Sequence, residues 1–390
     1  MTNSLSSPTE ASKHFLLSER ITAAHMAGAI GDAIGAPVEG RNSHNIREVL
    51  SGHDWQQVIP PLDWDGVSHF WKGDGRITDD TLMVEALMNA YAVHGDHIDA
   101  YGWEAFLLPE ITKHLVWVPE YQKEMAIFER LWIPEKYPYW RFYGNVDPRY
   151  VGAGNLVNCG VAMYAWPVGA VNAGDPYAAY QEGAAMAMAH NESFAVEAAA
   201  AMAAAMATAL HPEATIEQVI ATASGAQDGT GRAIIATVAA ADPALSLHQV
   251  CDAMRAAVRP FDQRSGVSDD ERPFKLRTPN DYGKPSRLMS IEELPVALGA
   301  LRWGQGDFMR TLQASVVYGR DCDSTAGMAM SLWGALHGSA DIPQGLIQGV
   351  NRGSRRDFLS SGKAFAEVCA SIHQRDVLRW AARQDCHASA

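Results

Sequence analysis

The sequence has few cysteines and nothing that pairs them. Its five, Cys159, Cys251, Cys322, Cys369 and Cys386, are odd in number, widely scattered, and include no CxxC pair. That spacing argues against a zinc cage or a disulfide framework and favours a reducing cytoplasm. Runs of Lys and Arg are missing as well. The 31 basic residues stand against 45 acidic ones, giving a formal net charge of -14, and the basic ones never cluster. Nucleic acid and anionic membrane both demand clustered positive charge, so neither is expected as a partner. No stretch approaches the unbroken apolar length of a membrane span. The polar opening MTNSLSSPTEASKHF lacks a signal-peptide core, and residues 1–14 read as a loose tail.

Alternation of polar and apolar residues is absent too, which argues against any substantial sheet. What the chain has instead is helical spacing, with 47% apolar residues over 390 positions to fill a large core. Helices are expected through Leu16–Val38, Thr81–Tyr91, Ile216–Ala223, Leu247–Val258, Ile291–Trp303, Phe308–Tyr318, Thr325–Leu336 and Phe365–Ala382. Asp175-Pro176 marks a helix start, with a capping carboxylate and a proline in the first turn. The Ala/Met-rich stretch Tyr177–Leu210 follows it, interrupted near His190-Asn191. Small side chains on this scale let helix axes approach closely. The expected fold class is therefore all-α, one compact multi-helix domain over 15–385. Two segments look inserted: the aromatic Trp103–Tyr150 and the polar, charged Arg259–Arg287.

Two short segments carry more acid than a helix start needs. They are Gly75-Arg76-Ile77-Thr78-Asp79-Asp80-Thr81 and Gly319-Arg320-Asp321-Cys322-Asp323-Ser324-Thr325, each just before an apolar helical run. Adjacent residues cannot share one face of a regular helix, so these side chains belong to a loop and first turn. Capping explains one such group per helix, since Asp, Ser and Thr are preferred N-caps and acids favour the positive helix end. The surplus points to a cation, because clustered carboxylates repel unless neutralised. An all-oxygen set suits Mg²⁺, Mn²⁺ or Ca²⁺ rather than zinc, and Cys322 should turn away from so hard an ion. A third segment, Gly31-Asp32-Ala33-Ile34-Gly35-Ala36-Pro37-Val38-Glu39, places Asp32 and Glu39 on one side of a helix and its exit. Pro37 should end that helix and leave Glu39 in a loop. The flanking Gly28, Gly31 and Gly35 would admit another backbone.

Taken in order, GAIGDAIGAPVEG, RITDDTLM and GRDCDSTAGMAMSLWGALHG resemble the ADP-ribosylglycohydrolase family, with a weaker match over Asn158–Leu210. The resemblance implies an all-α fold with a central cleft holding two divalent cations, Mg²⁺ or Mn²⁺. Carried over by position, Thr78, Asp79 and Asp80 would be ligands from one side and Asp321, Asp323 and Ser324 from the other. Ser324 stands where the family has threonine and keeps the hydroxyl. The resemblance also makes Glu39 and Asp80 the catalytic candidates and gives Asp32 a supporting place. Asn158, Cys159, Gly160 and His190 match positions that hold substrate. Here the family's Gly-Asn-Gly has become Asn158-Cys159-Gly160, and its later arginine has become Tyr164. A loop that cradles pyrophosphate needs small residues, so this change disfavours ADP-ribose.

The implied activity is metal-dependent hydrolysis of a ribosyl N-glycosidic bond. The substrate is then a small ribosyl N-glycoside of nucleoside type or an ADP-ribosyl adduct, with an arginine-type ADP-ribosyl-protein as the alternative. A catalytically inert binding or structural homologue is the non-enzymatic reading. The DxDxT-like Asp321–Thr325 also fits a haloacid dehalogenase-like phosphatase. That fold needs the motif on a first strand followed by alternating strands and helices, whereas the short remainder here reads as helical. An EF-hand loop fails at Ala326 and Leu332.

Overall fold

The helix Leu17–Gly35 is buried on nearly every side, from Arg20 to its end. An apolar surface all round a helix means a central position, and the rest of the chain wraps it. In this computed structural model residues 16–62, 72–226, 228–261 and 291–388 are described. The tail expected at 1–14 lies outside them, as does the polar excursion beyond Phe261. Among the described residues no helix is long and apolar enough to cross a membrane. All five cysteines are unpaired.

The main partner of the central helix is Cys322–His337. Contact runs from Ala23 against Gly334, through Gly28 against Ser331 and Gly31 against Ala326, to Gly35 against Asp323. Rising numbers on one side meet falling numbers on the other, so the two helices are antiparallel. Their backbones touch. A Cβ at Gly31 would lie 2.2 Å from the Ala326 carbonyl oxygen, and one at Gly35 would lie 2.6 Å from the Asp323 Cα. The seam therefore sets the C-terminal end of one helix against the N-terminal end of the other. Asp32, Glu39, Asp321 and Asp323 are brought together by that arrangement.

Pro37 ends the first helix through a tight turn at Ala36–Val38, leaving Glu39 outside it. Two backbone bonds then pin the loop after Glu39 to the loop before Asp321. Gly40 N–H donates to the Arg320 carbonyl at 2.6 Å, and Arg320 N–H donates to Arg41 at 2.7 Å. Gly319, at φ +86°, has no room for a side chain, since its Cβ would meet the Arg41 oxygen at 2.4 Å. The Ala-rich stretch is two helices, Pro176–Ala187 and Phe194–Ala209, broken at His190-Asn191. Asp175 caps the first, accepting from Ala178 N–H at 2.9 Å.

The chain is mostly helical, and the all-α expectation is corrected by one hairpin among the described residues. Leu115–Val118 pairs antiparallel with Lys123–Ala126 inside the aromatic insertion. Val116, Trp117 and Val118 suit a pleated strand, but four residues are too few for alternation to show. The insertion then continues through Ile127–Arg130 and Ile133–Tyr143. Part of it packs into the core, Trp103 stacking on Phe142 at 5.5 Å, while Trp132, Trp140 and Tyr143 stay exposed.

The long last helix, Phe358–Ala388, is fastened by His97, whose Nδ1 meets Glu182 at 2.5 Å and whose Nε2 meets Asp376 at 3.1 Å. The Glu182 hydrogen bond leads in raising the His97 pKa to about 9, against the opposing effect of burial. A folded pKa above the unfolded value stabilises fully below about pH 6.5, and the gain disappears as pH rises through 9. Partial exposure screens the pair, so His97→Gln should remove about 1–2 kcal/mol at pH 6 and little at pH 10. Urea unfolding at both values checks this. Gly31→Ala should cost about 1–3 kcal/mol by forcing the central helices apart. An unchanged urea midpoint would contradict the backbone contact.

Candidate metal centre

The Asp79–His94 helix begins with a cap that uses only one of its polar groups. Thr78 Oγ1 accepts from Asp80 N–H at 3.3 Å, leaving both carboxylates to other work. Asp80 Oδ2 takes a bond from Thr78 Oγ1 at 3.2 Å, whereas Asp80 Oδ1 is buried with no partner. This helix start is docked on the central helix by Asp32. The Asp32 carboxylate accepts from Thr78 N–H at 3.0 Å, Thr81 N–H at 3.2 Å and Thr81 Oγ1 at 2.5 Å. Burial pushes its pKa up to about 6, outweighing those three bonds. With its oxygens so engaged, Asp32 positions the Thr78–Thr81 turn.

The second start is built differently. Asp321 stands at the N-cap of Cys322–His337, but its side chain makes no cap bond. It accepts instead from the Cys159 thiol at 2.8 Å. Thr325 Oγ1 bonds back to the Asp321 carbonyl at 2.8 Å, so its hydroxyl is used within the helix. Ser324 is the hydroxyl that faces the site. Its hydroxyl lies close enough to Asp80 and to Asp321 to favour the ionised form of each, bridging the two helix starts. Asp323 Oδ1 is buried and unpartnered, like Asp80 Oδ1. Cys322 turns the other way, its Sγ toward the Gly35 carbonyl at 3.4 Å.

The two acidic segments thus meet around one space. Burial, followed by the charges of Asp32, Asp79 and Asp321, holds the Asp80 carboxyl well above the usual range. Burial raises Asp323 too, with Glu39 adding to it. Glu39, Asp321 and Asp323 each offer an oxygen within 4.8 Å of the others. Such crowding is unstable without positive charge.

Part of that charge comes from residues that sequence reasoning missed. Lys72 Nζ pairs with Glu39 Oε2, 3.7 Å from Asp323 and 3.9 Å from Glu120. Arg130, from the insertion, grips Glu120 through Nε and through Nη2 at 3.1 Å, and reaches Asp79 Oδ1 at 2.9 Å. Burial disfavours the charge on Lys72, but Glu39, Asp323 and Glu120 outweigh it and raise its pKa. For Glu39 burial works upward and Lys72 wins, holding the carboxyl below its ordinary value. A lone Lys, Glu or Arg in a loop or insertion carries no local pattern, so no sequence signal marked these residues.

The expected substrate loop is partly occupied by the protein itself. Asn158 Nδ2 donates to Glu135 Oε1 at 2.8 Å, and its Oδ1 accepts from Asn191 Nδ2 at 2.9 Å and from Gly160 N–H at 3.3 Å. A Cβ at Gly160 would come 2.6 Å from Glu135 Oε1, so a larger residue there would have to displace the Glu135 carboxyl. Glu135, another insertion residue, is buried with Oε2 unpartnered, and burial leads in pushing its pKa up to about 7. His190 sits deeper, with Nδ1 2.7 Å from Tyr164 Oη and its ring beside Trp103. Burial lowers its pKa to about 3, so the ring is neutral. Asn158 and Cys159 therefore border carboxylates, Glu135 and Asp321 respectively, while His190 connects to that loop through the adjacent Asn191.

Asp32→Ala should destabilise the chain by about 2–4 kcal/mol, because Thr78 and Thr81 lose a charged, buried acceptor. Asp32→Asn should fall between. Equilibrium urea unfolding measures both, and an alanine variant as stable as wild type would contradict this positioning role.

The sequence profile of the ADP-ribosylglycohydrolase family matches residues 14–377. Among solved structures, the fold is similar to a chain described as an ADP-ribosylglycohydrolase-related protein complex. The TM-score is 0.56 and the identity 17%, covering 91% of this chain and 98% of that one. At that identity the likeness concerns the fold alone. No curated protein matches this chain. Over most of its length, then, the chain belongs to the ADP-ribosylglycohydrolase family.

Proposed function

We propose that this chain is a divalent-metal-dependent hydrolase of a ribosyl N-glycosidic bond, acting on a small nucleoside-like substrate. The observation that carries the reading is the pair of buried, unpartnered oxygens, Asp80 Oδ1 and Asp323 Oδ1, on two helix starts whose carboxylates raise one another's pKa. Orphaned carboxylate oxygens are costly in a protein interior, and a hard cation relieves that cost. Thr78, Asp80, Asp321, Asp323 and Ser324 are the residues that would hold it, and all offer oxygen. Asp79 is drawn aside by Arg130. Mg²⁺ or Mn²⁺ fits this donor set better than zinc.

A divalent ion there would supply positive charge that fixes neighbouring ribose hydroxyls and makes water a usable nucleophile near neutral pH. The chain's own residues do the rest. Glu39, about a third exposed, and Asp80, which is buried, are the carboxylates assigned here to accept the proton of that water. Asp32 keeps Asp80 in place through the Thr78–Thr81 turn. The thiol of Cys159 donates to Asp321 and, with Ser324, orients that carboxylate.

Substrate size is argued from the Asn158-Cys159-Gly160 loop. Its Asn158 side chain is consumed by Glu135, Asn191 and Gly160, and its Cys159 side chain points to Asp321. Little is left to cradle a pyrophosphate, which favours the smaller ribosyl compound. Family membership favours the second reading, an ADP-ribosyl adduct of arginine type.

The test is a Mn²⁺-supplemented assay of base release from nucleosides beside release from ADP-ribosylarginine. Turnover of nucleosides that stops with chelator and falls at least about 100-fold in Asp80→Asn and Asp323→Asn is the expected result. Turnover of the ADP-ribosyl compound alone would select the second reading. Catalysis of neither would leave an inert homologue.

A further inference from the structure

We infer that the Lys72 ammonium stands in for one of two divalent cations, so that this centre takes a single metal ion beside a built-in positive charge. The inference rests on the metal-dependent reading above and concerns how many ions that site admits.

Lys72 is held by carboxylates from three separate parts of the chain: Glu39 after the first helix, Asp323 at the start of Cys322–His337, and Glu120 in the insertion. Its side chain is only 15% exposed. A lysine buried to that degree needs partners of this kind, and here they belong to the very group that would ligate metal. Glu39 and Asp323, with Asp321, form a set whose oxygens lie within 4.8 Å of one another. A divalent ion held by that set would have to contact those oxygens directly. The ammonium already touches Glu39 and lies 3.7 Å from Asp323, so ion and lysine compete for the same volume. Like charge makes them exclude one another.

The remaining acids divide the same way. Arg130 neutralises Asp79 and Glu120, which withdraws Asp79 from metal. Among the described residues, neither Asp80 nor Asp321 forms an ion pair with Lys or Arg, whereas Glu39, Asp79 and Asp323 each have one within 4.0 Å. With the free Oδ1 of Asp323 and the hydroxyls of Thr78 and Ser324, they are the oxygen donors left for one ion. Lys72 and Arg130 thus cover one flank, and the metal the other.

The experiment measures bound Mn²⁺ per chain by equilibrium dialysis with elemental analysis, and records the electron paramagnetic resonance spectrum of the saturated protein. Wild type is expected to bind one ion, with the six-line signal of an isolated Mn²⁺. Lys72→Met is expected to bind two, with an exchange-coupled spectrum. Two ions in wild type, or a coupled signal from it, would overturn the role of Lys72 while leaving the metal-dependent reading intact. One ion in both proteins would show that Lys72 does not occupy the second place. No ion in either would overturn both readings. The wild-type spectrum and stoichiometry need no variant, so the inference stays exposed to refutation even if Lys72→Met fails to fold.

Discussion

Carboxylates crowded into a low-dielectric interior repel one another, and a fold that gathers several must supply positive charge or force them to protonate. Asp32, Glu39, Asp79, Asp80, Glu120, Asp321 and Asp323 all influence one another in this protein. Hydrogen bonds satisfy Asp32, Arg130 and Lys72 answer several of the others, and Asp80 and Asp323 keep an oxygen with nothing to bond. The rest of the architecture can be read as the means of holding that cluster together.

Glycine is the principal means. Gly31 and Gly35 let the central helix lie directly on the backbone of Cys322–His337, and the contact at Gly35 falls on Asp323 itself. Helix packing and site geometry are therefore one constraint. Any residue that separated the axes would also move a carboxylate. The paired bonds between Gly40, Arg41 and Arg320 extend the same logic beyond the helix ends, fixing Glu39 relative to Asp321. The aromatic insertion then closes one flank, contributing Glu120, Arg130 and Glu135 from segments far from the acidic motifs in sequence.

How legible all this was depended on the length scale of the signal. The helix at Asp79–His94 and its acidic start could be read because capping, dipole and periodicity act within a few residues. The convergence of Asp80 with Asp321 is legible only in a surplus of acid beyond what capping needs, taken together with family resemblance. Glu39 needed the resemblance outright, since a single Glu after a helix says nothing. Gln344–Ser354 went unread because its three glycines, Gly345, Gly349 and Gly353, depress helix propensity; Gly349 and Gly353 are there to admit Val58 and the Asp74-Gly75 backbone. The hairpin was too short to alternate visibly. Lys72 and Arg130 could not have been found, because their meaning lies entirely in which carboxylates the fold brings to them. Asn158, which the resemblance assigns to substrate, also has partners no local pattern announces: Glu135 and Asn191.

The central claim is that the space between the two helix starts is a cation site. Anomalous diffraction at the manganese edge, from crystals equilibrated with Mn²⁺, addresses it most directly. The account predicts a strong peak within bonding distance of Asp80, Asp321 and Asp323. Ordered carboxylates at those positions with no anomalous density between them would contradict it.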